Sequence, residues 1–301
     1  MVTRRTESWS TDIDGAWVTK TEITDGKIGY KTWIATTEEE IRDASSSIYM
    51  NMPLLKHLDM VKEFSGKIAV VMQPCMLKAL TALMEKDPSL RDKIKWKFGL
   101  FCSGSCDVKA TELALQKAGV TTENGKRLYY RRGFWRGPGA VVYQDDSEAT
   151  FSYTDYFCTY KNAYYFHKKS CFGCDDHYAA SSDISFGDIW LKEMKKENIK
   201  HTGCVIRNQQ AQDLLDRAIR EKDITARFMS GRDLIRSQKR ELVFKNLVFA
   251  KEGHRKWNHA LAGLMVKNNR NFVRKHPKLF EKIPVKIVFF RMALLRVLLN
   301  F

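Results

Sequence analysis

Long apolar runs are missing from this 301-residue chain. None reaches the length of a membrane span, which sets a helical membrane protein aside. A charged-then-apolar leader is missing as well, because Met1-Val2-Thr3-Arg4-Arg5-Thr6-Glu7 is too polar to serve as one. The expectation is a cytoplasmic protein. There, seven cysteines, an odd number, act as thiols or metal ligands rather than as disulfides. Repeats and low-complexity linkers are lacking too. With 44% apolar and 12% aromatic residues the chain can bury a core and is not disordered.

Acidic residues are scarce beside basic ones, 35 against 51, which leaves a net charge of +16. The excess is uneven: residues 251–301 carry +10 and the first 250 only +6. This basic tail reads as a solvated helical surface or a dock for an acidic partner, ahead of nucleic acid. Residues 283–301 are strongly apolar, yet Lys286, Arg291 and Arg296 are five apart and point three ways around a helix. A packed or partner-docking terminal helix fits that pattern better than one lying on a membrane, and peripheral membrane contact stays open.

The periodicity gives an α/β fold: a mixed, mostly parallel central sheet flanked by helices, with a small N-terminal β-hairpin region and a helical C-terminal tail. The hairpin spans 15–36, turning at Asp25-Gly26. Thr36-Thr37 before Glu38-Glu39-Glu40 starts a helix, and 54–64 reads as another. The clearest βαβ unit follows: a strand over 67–72, a sharp turn at Gln73-Pro74-Cys75, a helix over 76–84 and a strand over 94–102. A helix over 108–118 is closed by Gly119. Residues 128–145 read as β structure around a Gly/Pro turn, and 151–166 are crowded with aromatics. The spacing then predicts a strand over 203–207, a helix over 209–221 and a short strand over 224–228.

The most informative stretch is Cys171 to Trp190, where a Cys-x-x-Cys knuckle runs into Asp183-Ile184-Ser185-Phe186-Gly187-Asp188, read as a turn. Two sulfurs three residues apart hold a metal centre from one tight loop but rarely complete it. Ligands of open α/β sheets gather beyond the carboxyl ends of the strands. Cys75 and Cys102 both follow such ends, on strands that a crossover makes parallel. With Cys171 and Cys174 they make four sulfurs, a set that suits zinc or an iron–sulfur cluster. The competing account makes Cys75 and Cys102 ordinary buried small residues. A helix N-terminus at Cys75 favours a thiolate. Cys106 is a rival ligand. Cys158 and Cys204 read as structural, and His167 and His177 as hydrogen-bonding residues.

An ordered set of motifs resembles the beta-subunit family of coenzyme F420 hydrogenases and dehydrogenases. They are Thr36-Thr37-Glu38-Glu39-Glu40-Ile41, Ser46-Ser47-Ile48-Tyr49, Gln73-Pro74-Cys75, Gly99-Leu100-Phe101-Cys102, Arg131-Arg132-Gly133-Phe134-Trp135, the knuckle with Asp183 to Asp188, and Val205-Ile206-Arg207. The resemblance implies FAD, a [4Fe–4S] cluster and redox chemistry, with coenzyme F420 a further candidate cofactor. It makes Cys75, Cys102, Cys171 and Cys174 the cluster ligands. It gives Ser47, Tyr49, Arg131, Asp183, Ser185, Gly187 and Asp188 to cofactor binding. Many members open with an extra cysteine cluster; no cysteine here precedes Cys75, so one cluster is expected. Where the family often has Gly-Ser-Lys-Tyr, this chain has Ser46-Ser47-Ile48-Tyr49 and so lacks that lysine.

The implied division is an oxidoreductase domain over 1–240 and a basic helical extension over 241–301. The implied activity moves electrons between reduced coenzyme F420, or ferredoxin, and a partner subunit or small substrate. No catalytic acid or base stands out. Lys168 and Lys169 are candidates to offset the cluster's negative charge, and Gly187 to admit a cofactor close to the backbone. The aromatics Tyr153, Tyr156, Tyr160, Tyr164 and Tyr165 read as core before flavin stack. The alternative is a zinc-stabilised, non-catalytic binding protein holding an acidic partner or polyanion on its basic tail. A family member that kept the fold and lost the flavin is a third reading.

Overall fold

A computed structural model of the chain describes residues 13–242 and Lys245, apart from 134–135, 155, 158–160, 162–165, 169, 172–173, 197–200 and 243–244. The expected basic tail, Cys158, Lys169, Phe134, Trp135, Tyr160, Tyr164 and Tyr165 lie outside the described residues. No helix among the described residues is long and apolar enough to cross a membrane.

The N-terminal hairpin forms as its sequence directs. Strands β1 (Gly15–Thr24) and β2 (Lys27–Ala35) pair antiparallel. Asp25 and Gly26, with φ of 49° and 69°, supply the two left-handed residues that a tight two-residue hairpin turn needs. The hairpin joins the main sheet, because β1 also pairs in parallel with β3 (Ile68–Met72). Helix α1 (Glu38–Ala44) opens on a capping box in which Glu40 N–H donates to Thr37 Oγ1 and Thr37 N–H to Glu40 Oε2. The helix expected over 54–64 is broken into a 3₁₀ turn (Leu54–His57) and α2 (Asp59–Glu63), each sending one side chain, Leu54 and Val61, into the core.

Helix α3 (Pro74–Lys86) begins directly after β3, with Pro74 in its first turn, where a missing N–H costs nothing. Cys75 is therefore helical rather than in a free turn. Helix α4 (Pro88–Lys93), capped by Asp87, leads into β4 (Ile94–Leu100), which lies parallel beside β3. Helix α5 (Lys109–Ala118) stops at Gly119, whose φ of 68° closes it. Strands β5 (Gly125–Tyr129), β6 (Gly139–Tyr143) and β7 (Glu148–Phe151) form an antiparallel sheet of their own. Strand β8 (Ile184–Asp188) runs parallel to β4, and β9 (Thr202–Ile206) antiparallel to β8. The main sheet has the order β2-β1-β3-β4-β8-β9. Helices α6 (Gln209–Arg220) and α7 (Gly231–Leu242) follow.

Two expectations are corrected. Residues 183–188 are not a turn: Ile184 is buried against Trp96, and five residues in extended register with β4 and β9 make a strand. Residues 224–228 form no strand, for the sheet ends at β9 and Phe228 stands in solvent. Burial alternates as a two-faced sheet requires. Ile68, Val70 and Met72 face one core with Leu77, Leu80, Leu115, Leu128 and Tyr156; Ala69 faces the other with Trp96 and Ile184. Each large side chain so buried contributes about 1.5–3 kcal/mol.

Candidate functional site

The parallel strands β3, β4 and β8 end along one rim, and the candidate residues follow their ends. Cys75 lies in the first turn of α3, three residues beyond β3. Cys102 lies two residues beyond β4. Its loop is fastened on both sides: Cys102 N–H donates to the His177 carbonyl (3.0 Å), and His177 Nδ1 meets the Cys102 carbonyl (3.1 Å). His177 Nε2 lies 3.2 Å from Gln238 Oε1, and Gln238 Nε2 donates to the Asp188 carbonyl (2.6 Å), so α7 ties the end of β8 to the knuckle.

Four thiols share this rim. Cys75 stands exposed at the rim; the partial desolvation of its sulfur against the protein raises the thiol first, and the thiols of Cys102, Cys171 and Cys174 push it further. Burial also raises Cys171, against a lowering N–H from Ser105, with Cys102 and Cys174 adding to the rise. Cys75 and Cys171 are thus each within electrostatic reach of the other three sulfurs. The upward shift of Cys75 is opposite to the helix-dipole expectation, because desolvation and like-charged neighbours outweigh one helix end. Backbone donors already point at two sulfurs, Gly104 N–H at Cys102 Sγ (3.4 Å) and Ser105 N–H at Cys171 Sγ (3.5 Å). Gly104 has φ of 120°, and a side chain there would meet His167 Nε2 at 2.7 Å. Lys245 donates to Cys174 Sγ (3.3 Å). Among the described residues, no three His, Cys, Asp or Glu side chains close on a single metal ion.

A second cluster lies beside the first. Arg131 is buried two residues beyond β5; its Nη2 donates to Asp188 Oδ2 (2.7 Å) and Ser47 Oγ (3.2 Å). Burial raises the pKa of the Tyr49 hydroxyl, against Arg131 and Ser47 beside it, which lower it. Burial opposes the guanidinium charge, but Tyr49 and Asp188 outweigh it and hold the Arg131 pKa up. The Trp190 ring centre is 5.5 Å from the guanidinium. Arg131 Nε is buried and has no hydrogen-bond partner among the described residues. Lys161 links the two clusters: its Nζ donates to Ser103 Oγ (2.8 Å) in the Cys102 loop and stands 5.6 Å from the Tyr49 ring centre.

The family model for the C terminus of the coenzyme F420 hydrogenase/dehydrogenase beta subunit matches residues 65–230, more than half of the chain. The chain belongs to this family. It is 26% identical over 161 residues to the coenzyme F420 hydrogenase subunit beta of Methanococcus voltae, covering 52% of this chain and 53% of that one. It is 22% identical over 202 residues to an uncharacterised protein of Methanocaldococcus jannaschii, covering 65% of this chain and 51% of that one. The chain thus spans about half the length of these curated relatives. A chain in the xenon-derivatised F420-reducing [NiFe] hydrogenase complex from Methanosarcina barkeri shares the fold, with a TM-score of 0.54 over 89% of this chain and 81% of that one, at 18% identity.

Within this family member, the residues expected at the cofactor site divide. Ser47, Tyr49 and Asp188 come together around Arg131, which lies against Trp190. Asp183, Ser185 and Gly187 serve the fold. Asp183 accepts from Lys97 N–H (2.8 Å) and from Asn208 Nδ2 (2.9 Å), which fastens β8 to β4 and α6. Ser185 Oγ accepts from Arg207 Nη1 (3.0 Å), and the same nitrogen reaches Ser182 Oγ (2.9 Å). The space over Gly187 is filled by Phe101, 2.6 Å from where a Cβ would stand at its own Cβ and closer at the ring, so no cofactor enters there. Cys106 is fully buried, 3.5 Å from His167 Nδ1, and burial pushes its thiol up to about 12, as befits a packing residue. Of the aromatics, Tyr156 is core and Tyr153 packs against it. Lys168 is exposed. Lys161, Trp190, Gln238 and Lys245 escaped the sequence reading. A lone lysine among aromatics was a usable sign for Lys161; nothing local marks Lys245.

Proposed function

We propose that this protein is a flavin- and [4Fe–4S]-dependent oxidoreductase that transfers electrons between reduced coenzyme F420, or ferredoxin, and a partner protein or small substrate. The observation that carries it is the gathering of four thiols, from three separate segments, at the carboxyl ends of β3 and β4, with Cys75 and Cys171 each within reach of the other three. Cys75, Cys102, Cys171 and Cys174 would hold the cluster. An all-thiol set suits it, and the N–H groups of Gly104 and Ser105 stand ready to stabilise thiolates.

Arg131, with Ser47, Tyr49 and Asp188, would bind a polar or anionic part of the flavin. The unpartnered Nε supports this, since a buried donor without an acceptor is costly and a ligand oxygen relieves it. Trp190 offers a flat apolar wall. Flavin and cluster together convert a two-electron carrier into one-electron steps. What the chain does is hold the two pockets adjacent: Lys161 spans them, fixing the Cys102 loop with its ammonium while lying along Tyr49. The named hydrogenase subunit of Methanococcus voltae supports coenzyme F420 as one reactant and a partner subunit as another.

The test is an absorption spectrum and metal count on anaerobically purified protein. Iron near four per chain with flavin bands is expected from a [4Fe–4S] flavoprotein, and Cys171→Ala should abolish iron retention. A colourless protein with stoichiometric zinc would replace this function with the zinc-stabilised binding protein.

A further inference from the structure

We propose that Lys245 is a positioning residue for the four-thiol site, whose buried ammonium makes the bound cluster easier to reduce and helps retain it. This presupposes the cluster reading above. Lys245 is 4% exposed, and its Nζ donates to Cys174 Sγ at 3.3 Å and to the Asp176 carbonyl at 2.8 Å. It also acts electrostatically on Cys102 and Cys171. No carboxylate among the described residues pairs with it. Glu241, one turn earlier in the chain, acts on His177 as Lys245 does, and makes no ion pair with Lys245.

A buried ammonium without an anionic partner is strongly unfavourable, and a carbonyl dipole does not neutralise it. The groups that can carry negative charge and act on it most strongly are the thiols of Cys102, Cys174 and Cys171. A cluster on four thiolates is a net anion, so it supplies the missing counter-charge. Reduction adds one electron and one more negative charge, with no bond made or broken and no proton moved at Lys245. A fixed cation in contact with a ligand sulfur, screened from water, stabilises the more negative state and so raises the midpoint potential. Lys245 lies beyond the 65–230 span of the family match. It offers the charge expected of Lys168, which is exposed, from a point 71 residues past Cys174.

A merely structural lysine would pin the Asp176 loop without touching the potential. The discriminating experiment is an EPR-monitored redox titration of anaerobic full-length protein, with the titrant as electron source, on wild type, Lys245→Gln and Lys245→Arg. Gln keeps an N–H donor and removes the charge. The expected result is a tenfold or larger loss in the reduction equilibrium for Gln, about 59 mV more negative for a one-electron couple, with Arg close to wild type. An unchanged midpoint in iron-loaded Gln protein overturns the role of Lys245 and leaves the cluster standing. If Gln protein fails to keep iron, retention by Arg supports the charge and equal loss from both overturns it. An iron-free wild type overturns the cluster itself, and Lys245's role with it.

Discussion

Gly187→Ala separates a glycine kept for a cofactor from one kept for Phe101. The backbone at 187 is ordinary strand, paired with Gly203 on β9, so an alanine brings no conformational strain. What it brings is a methyl group 2.6 Å from Phe101 Cβ and nearer still to the ring, where about 3.5–4.0 Å is normal for carbon. Phe101 has little room to yield. Its N–H donates to the Phe186 carbonyl at 2.7 Å, and its ring packs on Tyr178 and His177 with centres 4.9 and 5.8 Å away. Overpacking of this kind costs about 1–3 kcal/mol, and a contact this short belongs at the upper end. In a chain of this size that lowers Tm by roughly 5 °C. The assay is thermal or urea unfolding followed by circular dichroism, on Gly187→Ala, Phe101→Leu and the double variant. Phe101→Leu alone should cost about 1 kcal/mol, and the double variant should be about 1–2 kcal/mol more stable than the sum of the singles. Full stability of Gly187→Ala, or strict additivity, would refute the steric account. Loss of flavin without loss of stability would return Gly187 to the cofactor site.

The remaining predictions concern charge and thiols. Cys106→Ala should keep its iron while losing about 1 kcal/mol of stability, because Cys106 packs in the core rather than ligating; loss of iron equal to that of Cys171→Ala would make Cys106 a ligand. Arg131→Met should lower the flavin-to-protein ratio of purified material at least tenfold in affinity, for it removes a charge-assisted donor pair; an unchanged ratio removes Arg131 from the flavin pocket. His167 is held neutral, its pKa pressed well below 6.5 by burial and by Lys161. The unfolded chain therefore takes up a proton that the folded chain refuses. Stability should be level above pH 6.5 and fall below it, at up to about 1.4 kcal/mol per pH unit from this group. A His167→Gln variant should show a shallower fall by urea midpoint, and an identical slope would contradict the assignment.

The α/β order was legible because strand and helix periods differ and because caps are local. Thr37 with Glu40, Asp25-Gly26 and Gly119 each sit where their own chemistry puts a boundary. That Cys75 and Cys102 follow the ends of neighbouring parallel strands was legible for a topological reason: such neighbours must present their carboxyl ends on one rim. Asp183 to Asp188 was misread because Asp, Ser and Gly are turn formers in isolation, while here each has a partner far away in sequence. Lys97 occupies Asp183, Arg207 occupies Ser185 and Phe101 fills the space over Gly187.

Lys245 marks the same boundary from the other side. Its sequence neighbours announce an unremarkable basic segment, and helix α7, ending at Leu242, runs across the expected boundary at 240. Gln238 reaches the Asp188 carbonyl, and Lys245 then reaches Cys174. A charge is costly to bury unless something opposite waits for it. An interior lysine facing four sulfurs is what the proposed cluster would call for: as neutral thiols they would leave its charge uncompensated, and as cluster ligands they would not.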